Sequence, residues 1–379
     1  ALIAAASGIA RGDTPIRLIA ERFGERLEET GADQDAGAPE AGRLRVIAFN
    51  DTLVSEWRAA ATIRMSGSAA IMPGGLDRLV RASKASDASI DIATSGTDNA
   101  PALRLTTSRS AHEFPLSAET VFETVDPGGV TGEPADLSNL ARAISTVRIA
   151  AAPRAEAAGT KIALTGVHLR ADGGTIDVVA TDGRRLALSR LSDAALGATD
   201  LELETKPLTL PPDSLALLVK MLEDGQTRLM RHDTALVAET PAGILSLRLI
   251  DTPYPDYSPL LGLPAEHTIT VLRDDLDIAL SRSSATVSKD ARATTVKLSR
   301  GSDGLHLSSS ASSQTSSECL DEKAGPACEV GFDARYMAHA IAGLPSGEID
   351  ICFGTPEIPI RVTSEARPDV TMLVMPCRV

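Results

Sequence analysis

Aromatic side chains are scarce in this chain of 379 residues, where Phe, Tyr and Trp together make up 3%. Its cores must therefore be built mainly from Leu, Ile, Val and Ala. Paired cysteine motifs are missing too. Cys319, Cys328, Cys352 and Cys377 show neither Cys-x-x-Cys spacing nor a paired His motif. That argues against zinc and reads as reduced thiols of a cytoplasmic protein. No apolar run approaches the length of a membrane-spanning helix. No Gly-x-x-x-x-Gly-Lys loop or dinucleotide fingerprint occurs, and neither a metal nor a cofactor is expected. Positive charge is in deficit: 37 Lys and Arg face 51 Asp and Glu, a formal net of −14. This excludes a chain that coats nucleic acid with its whole surface, but not one whose basic residues are gathered on one face.

What remains is a globular composition, 43% hydrophobic, on a chain long enough for two or three domains. The opening Ala1–Gly8 lacks an initiating Met and a basic n-region, so its pattern suits a helix better than a signal remnant. A first strand is expected to precede it.

The same kind of helix returns along the chain. One set comprises Leu2–Ile9, Asp136–Arg148 with Asp136 as N-cap, and Asp274–Val287; Leu137, Leu140, Ala141, Ile144 and Val147 show the helical spacing. A second set comprises Gly75–Ala85, Pro212–Leu222 and Asp333–Leu344. Between them lie short alternating runs: Lys161–Arg170, Thr175–Ala180, Arg185–Leu191, Ile244–Ile250, Thr294–Leu298, Gly304–Ser309 and Glu348–Phe353. Alternation with Gly, Asp and Ser punctuation predicts antiparallel strands with one buried face. The pattern reads as an α+β domain, helices covering sheets, repeated three times. Joints fall near Asp126-Pro-Gly-Gly and Leu261–Glu266, giving domains 1–129, 130–264 and 265–379. Glu28–Ala41 reads as an acidic loop, and Ser308–Ser317 as a long hairpin or a mobile connection.

Candidate motifs divide sharply. Arg11-Gly-Asp13 reads as a turn. His112, His168, His232, His267, His306 and His339 are scattered without ligand spacing. Asp172, Asp177 and Asp182 admit an acid/base or metal reading, which makes a hydrolase using Asp182 the rival function. Asp172-Gly173-Gly174 and Asp182-Gly183 read more simply as turns. Basic residues recur on the helices, off their apolar stripes: Arg78, Arg81, Lys84, Arg142, Arg148, Lys220, Arg282 and Arg335. Such a set, repeated threefold, suits a positive lining that follows a phosphate backbone without reading bases.

Four short segments carry a resemblance: Ala180-Thr-Asp-Gly-Arg-Arg-Leu-Ala187, Tyr254-Pro-Asp-Tyr257 followed by Leu260 and Pro264, Leu164-Thr-Gly-Val167, and the terminal Val374-Met-Pro-Cys-Arg-Val379. In order and spacing they resemble the bacterial DNA sliding clamp, the beta subunit of polymerase III. The resemblance implies the DNA clamp fold, with two helices per domain packed on antiparallel sheets, and two chains closing head to tail into a ring around duplex DNA. It implies no chemistry, only tethering of polymerase, clamp loader and repair proteins through short hydrophobic peptides. It places the peptide cleft at Leu164, Thr181, Gly183, Arg184, Arg185, Leu186, Pro255, Leu260, Val374, Met375, Pro376, Cys377, Arg378 and Val379. Departures are visible. Arg184 stands where His is common, Pro259 where a basic residue is common, and Cys377 where Met is common. Ile162 and Ala163 replace aromatic residues close to DNA, and Val287 and Ser288 are less bulky than usual near the dimer seam. A divergent paralogue, or a decoy that binds partners without encircling DNA, is the alternative within the same class.

Overall fold

The computed structural model describes residues 15–22, 40–50, 52–64, 66–72, 89–94, 101–106, 110–117, 130, 132–156, 159–197, 199, 201–232, 234–285, 295–311, 314–321 and 325–378. The expected helices at Leu2–Ile9 and Gly75–Ala85, the Arg11–Asp13 tripeptide, most of Glu28–Ala41 and the joint at Asp126 lie outside these residues. So do Arg78, Arg81, Lys84, Val287, Ser288 and Val379. The chain divides into two compact units. One comprises residues 1–136, 198–201 and 216–248; the other comprises 137–197, 202–215 and 249–379.

The first unit holds strands β1 (Ile16–Arg22), β2 (Glu40–Asn50), β3 (Leu53–Ile63), β4 (Gly67–Ile71), β5 (Ser89–Thr94), β6 (Pro101–Thr106), β7 (Ala111–Pro115) and β8 (Ala135–Asp136). Three more of its strands, β13 (Gln226–His232), β14 (Ala235–Thr240) and β15 (Gly243–Arg248), complete an antiparallel sheet in the order β4-β1-β2-β3-β15-β14-β13-β8. Strands β5, β6 and β7 form a second sheet. The β2–β3 hairpin closes on Asn50, whose side-chain oxygen accepts from the Thr52 and Leu53 amides at 2.9 and 3.1 Å.

The second unit is built on β9 (Val167–Asp172), β10 (Thr175–Thr181), β11 (Arg185–Ser192), β12 (Leu208–Leu210), β16 (His267–Leu272), β21 (Glu348–Phe353), β22 (Ile360–Thr363) and β23 (Val370–Val374). Their order is β12-β9-β10-β11-β23-β22-β21-β16, so β11 and β23, remote in sequence, are neighbours. A further sheet, β19-β18-β17-β20, uses β17 (Thr295–Gly301), β18 (Gly304–Ala311), β19 (Gln314–Leu320) and β20 (Cys328–Asp333). The described helices are α1 (Ser138–Val147), α2 (Leu215–Glu223), the single turn α3 (Ser258–Leu261), α4 (Arg273–Ala285) and α5 (Ala334–Ala342). None is long and apolar enough to cross a membrane.

The helices follow their apolar stripes. Helix α1 buries Leu140, Ala141, Ala143, Ile144 and Val147 and packs on β10 and β11. Helix α5 buries Ala334, Met337, Ala340 and Ile341 and packs on β23 and β20. Asp333 caps it by accepting from the Arg335 amide at 2.9 Å. The serine-rich tract takes the hairpin form, with Ser308 opposite Ser317 and Ser309 opposite Ser316.

Two local expectations are corrected. Asp136 is not an N-cap: it belongs to β8, opposite Gln226, and α1 starts beyond Leu137 with no side-chain cap. Lys161–Arg170 is not one strand. Residues Gly159–Thr165 form a 3-10 helix and β9 begins at Val167. The Thr165 hydroxyl donates to the Ile162 carbonyl at 2.8 Å, and the Gly166 amide to Ala163 at 3.2 Å. These i to i−3 bonds capture a run whose apolar alternation alone suggested a strand.

Candidate functional site

The segment Thr181–Arg185 is a turn held from within. The Asp182 carboxylate accepts the Arg184 and Arg185 amides at 2.9 and 3.0 Å, and its second oxygen takes the Arg185 Nε at 3.1 Å. The Thr181 hydroxyl donates to the Arg185 carbonyl at 2.6 Å and accepts the Gly183 amide at 3.1 Å. Gly183 sits at φ +83°, in the left-handed region that glycine enters without a Cβ penalty. Asp182 thus has both oxygens committed to organising the turn.

Strand β11 leaves this turn and pairs with β23: Arg185 faces Val374, Leu186 faces Leu373 and Ala187 faces Met372. The ladder runs on through the tail. The Met375 amide donates to the Arg184 carbonyl at 2.8 Å, Pro376 bridges to Phe332, and the Cys377 amide donates to the Gly331 carbonyl at 2.7 Å. Side chains alternate across the sheet. On one face, Val179, Leu186, Leu188, Tyr257 and Leu373 form an apolar cluster, with Tyr254 and Leu261 packed against it. Met375 and Leu260 keep 38% and 39% of their surface exposed, enough to offer apolar contact to a visitor.

Two polar ties fix the tyrosines. Tyr254 stacks on His168 with ring centroids 4.4 Å apart, and the His168 Nδ1 lies 3.0 Å from the Thr209 hydroxyl. Burial, with a contribution from Arg170, pushes the His168 imidazole down to about 4. Tyr257 donates to Asp177, which Arg190 holds through two nitrogens. Burial first, then the Asp177 charge, holds the Tyr257 phenol well above its usual range.

A cationic cluster lies at the junction of turn, tail and α5. The Arg185 guanidinium stacks over Tyr336 at 5.0 Å and contacts His339 Nδ1. Arg184 reaches the Tyr336 hydroxyl at 3.2 Å, and Arg335 lies 5.9 Å from the same ring while paired with Asp333. Burial, then the charges of Arg185 and Arg335, lowers the His339 imidazole. Burial, then the nearby Asp333 carboxylate, raises the Cys377 thiol.

The residues expected to line a peptide cleft divide by position. Thr181, Gly183, Arg184, Leu186, Met375, Pro376 and Cys377 meet along the turn–tail seam, with exposed Arg378 following Cys377. Pro255 and Leu260 flank Tyr254 and Leu261, which touch the apolar cluster. The Leu164 carbonyl is taken by Ala152. Arg185 and Val374 take another position. As facing partners next to Leu186 and Leu373, they project to the opposite side of the sheet, Arg185 onto α5 and Val374 fully buried. Ala163, expected near DNA, is also fully buried, whereas Ile162 is 43% exposed. Of the basic residues, Arg142, Arg148 and Lys220 are exposed, Arg282 pairs with Glu318, and Arg335 pairs with Asp333. Sequence reasoning missed Tyr336 and the His168–Tyr254 stack. The rarity of tyrosine was the available signal: all three in the chain, Tyr254, Tyr257 and Tyr336, lie at this site.

The site is a surface seam with a buried apolar cluster beneath it, exposed Met375 and Leu260 at its rim, and carboxylates tied into ion pairs. Comparison with known proteins gives the particular family. Residues 136–256 match the DNA polymerase III beta subunit, central domain, and residues 262–378 match that subunit's C-terminal domain. The Beta sliding clamp of Synechocystis sp. is 27% identical over 231 residues, 58% of this chain and 59% of that protein. The Beta sliding clamp of Caulobacter vibrioides is 26% identical over 299 residues, 77% of each chain. The chain thus aligns with about three fifths of the Synechocystis relative. Among solved structures, the DNA polymerase sliding clamp from Pseudomonas aeruginosa superposes with a TM-score of 0.77 at 19% identity, covering 100% of this chain and 96% of that one. Caulobacter crescentus pol III beta gives 0.76 at 21% identity, covering 100% and 97%. The fold is the α+β sliding clamp fold, and the chain belongs to the DNA polymerase III beta subunit family, the beta sliding clamps, as a divergent member. That family is a non-catalytic polymerase subunit of DNA replication.

Proposed function

We propose that this chain works as a sliding clamp: a homodimeric ring of three-domain subunits, bounded as 1–129, 130–264 and 265–379, that encircles duplex DNA in the cytoplasm. It reads no sequence and tethers polymerase, clamp loader and repair proteins by short hydrophobic peptides. The observation that carries this reading is the turn–tail seam, where Arg184 and Met375 are joined beside the apolar cluster of Leu186, Leu373 and Tyr257. Exposed apolar side chains such as Met375 and Leu260 beside an apolar cluster are what a short hydrophobic peptide needs for affinity. Met375, flexible and polarizable, suits several guests. Exposed Arg142, Arg148 and Lys220 are the side chains assigned to DNA phosphates.

The test has three parts: mass in solution, salt-sensitive retention on circular DNA, and binding of polymerase-derived peptides. A dimer, retention lost on linearising the DNA, and peptide binding lost on deleting Met375–Val379 are expected. A strict monomer that binds no such peptide at high concentration overturns the proposal. A second reading, a clamp-like decoy, draws on the ion pair that ties Arg282 to Glu318. It predicts peptide binding without retention on circular DNA.

A further inference from the structure

The charges at the seam are sorted by direction. Two carboxylates, Asp182 and Asp333, point inward: their side chains are only 7% and 6% exposed; Asp182 is engaged by an arginine and two backbone amides, Asp333 by an arginine and the Arg335 amide. The arginine heads point outward. Arg184 is exposed, and Arg335 keeps 47% of its side-chain surface despite its pairing with Asp333. Both meet at Tyr336, one on its hydroxyl and one beside its ring, and exposed Arg378 follows the tail residue Cys377. A chain of net −14 thus presents cations to solvent beside the tail Met375–Cys377.

Resting on the docking reading above, the geometry points to a specificity device: Arg184 and Arg335 select partner peptides that carry carboxylates next to their apolar anchor. Tyr336 acts as the post that holds the two guanidinium groups apart and facing outward. Planar guanidinium groups with several N–H donors suit carboxylates, and a peptide carboxylate would find no exposed Asp182 or Asp333 oxygen to repel it. Because the pairs form at a wet rim, the preference is modest and salt-dependent.

The experiment is fluorescence polarisation on the full chain with two labelled peptides of identical leucine–phenylalanine anchor, one flanked by Asp and Glu, the other by Asn and Gln. The acidic peptide is expected to bind about tenfold tighter at low salt, the gap shrinking to about twofold near 0.5 M salt. Arg184→Gln and Arg335→Gln should each narrow the gap several-fold, while Arg184→Lys keeps most of it. Arg184 is exposed, so its variants report on binding even if Arg335→Gln weakens the helix cap. Equal binding of both peptides by the wild type overturns the specificity and leaves the docking site intact; binding of neither peptide overturns the docking reading itself. If Arg335→Gln lowers retention on circular DNA and leaves the peptide gap unchanged, Arg335 serves phosphates and the assignment to peptides falls.

Discussion

Replacing Asp182 by Ala is expected to loosen the second unit by about 3–5 kcal/mol, while Asp182→Asn costs only about 1–2 kcal/mol. The difference follows from what each change removes. Alanine takes away the acceptor of two backbone amides, at 2.9 and 3.0 Å, and leaves the Arg185 guanidinium, whose side chain is 10% exposed, without its carboxylate. Asparagine keeps an oxygen for both amides and loses the ion pair alone. The chain supplies its own probes. All three tyrosines lie at the seam, whereas the single tryptophan, Trp57, is buried in the first unit. Urea unfolding followed by tyrosine emission should therefore show the two variants in this order, read separately from Trp57 emission. Peptide binding should fall with the tyrosine transition. Equal costs for Ala and Asn, or a cost below about 1 kcal/mol for Ala, would refute the role given to the carboxylate. The hydrolase reading of Asp182 predicts the opposite contrast: turnover abolished by Asn, with no difference in stability.

Further outcomes follow from the same unit. His168 is held neutral by burial, with its folded value near 4 against about 6.5 unfolded, so the unfolded state binds the extra proton between those values. Its contribution is complete above pH 6.5 and is lost as the pH falls through 4, about 3 kcal/mol in all; His168→Gln should flatten that part of the tyrosine-monitored profile. Gly166→Ala places a Cβ 2.4 Å from the Leu210 carbonyl oxygen and 2.8 Å from Thr209, so β9 and β12 must separate, at about 1–3 kcal/mol by denaturation. Gly183→Ala meets no atom within 4 Å, and its cost of about 1–2 kcal/mol comes from φ +83° alone. It should weaken peptide binding more than it lowers stability. Leu373→Ala, in the floor of the seam, should cost about 2–5 kcal/mol and abolish peptide binding.

Much was legible in the sequence because local rules decide it. Apolar spacing marked α1 and α5, alternation marked β10, β11 and β21, and Asp172-Gly-Gly marked a turn in which both glycines take positive φ. The segments around Gly183 and Met375 stood out by resemblance, and the structure joins them through the Met375 amide and the Arg184 carbonyl. Local rules failed where tertiary contacts override them. The run before Val167 alternates like a strand yet coils, since its carbonyls bond within the turn and to Ala152. Asp136 looks like a cap yet pairs with Gln226.

The sequence by itself determined that this protein is an α+β chain of sheets and amphipathic helices, without a cofactor motif, and that two distant peptides resemble segments of one family. Those are consequences of side-chain period and local turn chemistry, which need no partner segment. Only the tertiary structure decided which face each residue of those peptides serves. Pairing β11 with β23 sets a register, and a period of two then sends Leu186 and Leu373 to the floor of the seam and Arg185 and Val374 away from it. Likewise only folding brings Tyr336 between Arg184, Arg185 and Arg335, and turns Asp182 and Asp333 inward. The sign of charge that a guest meets at the seam depends on those directions in space, which composition cannot encode.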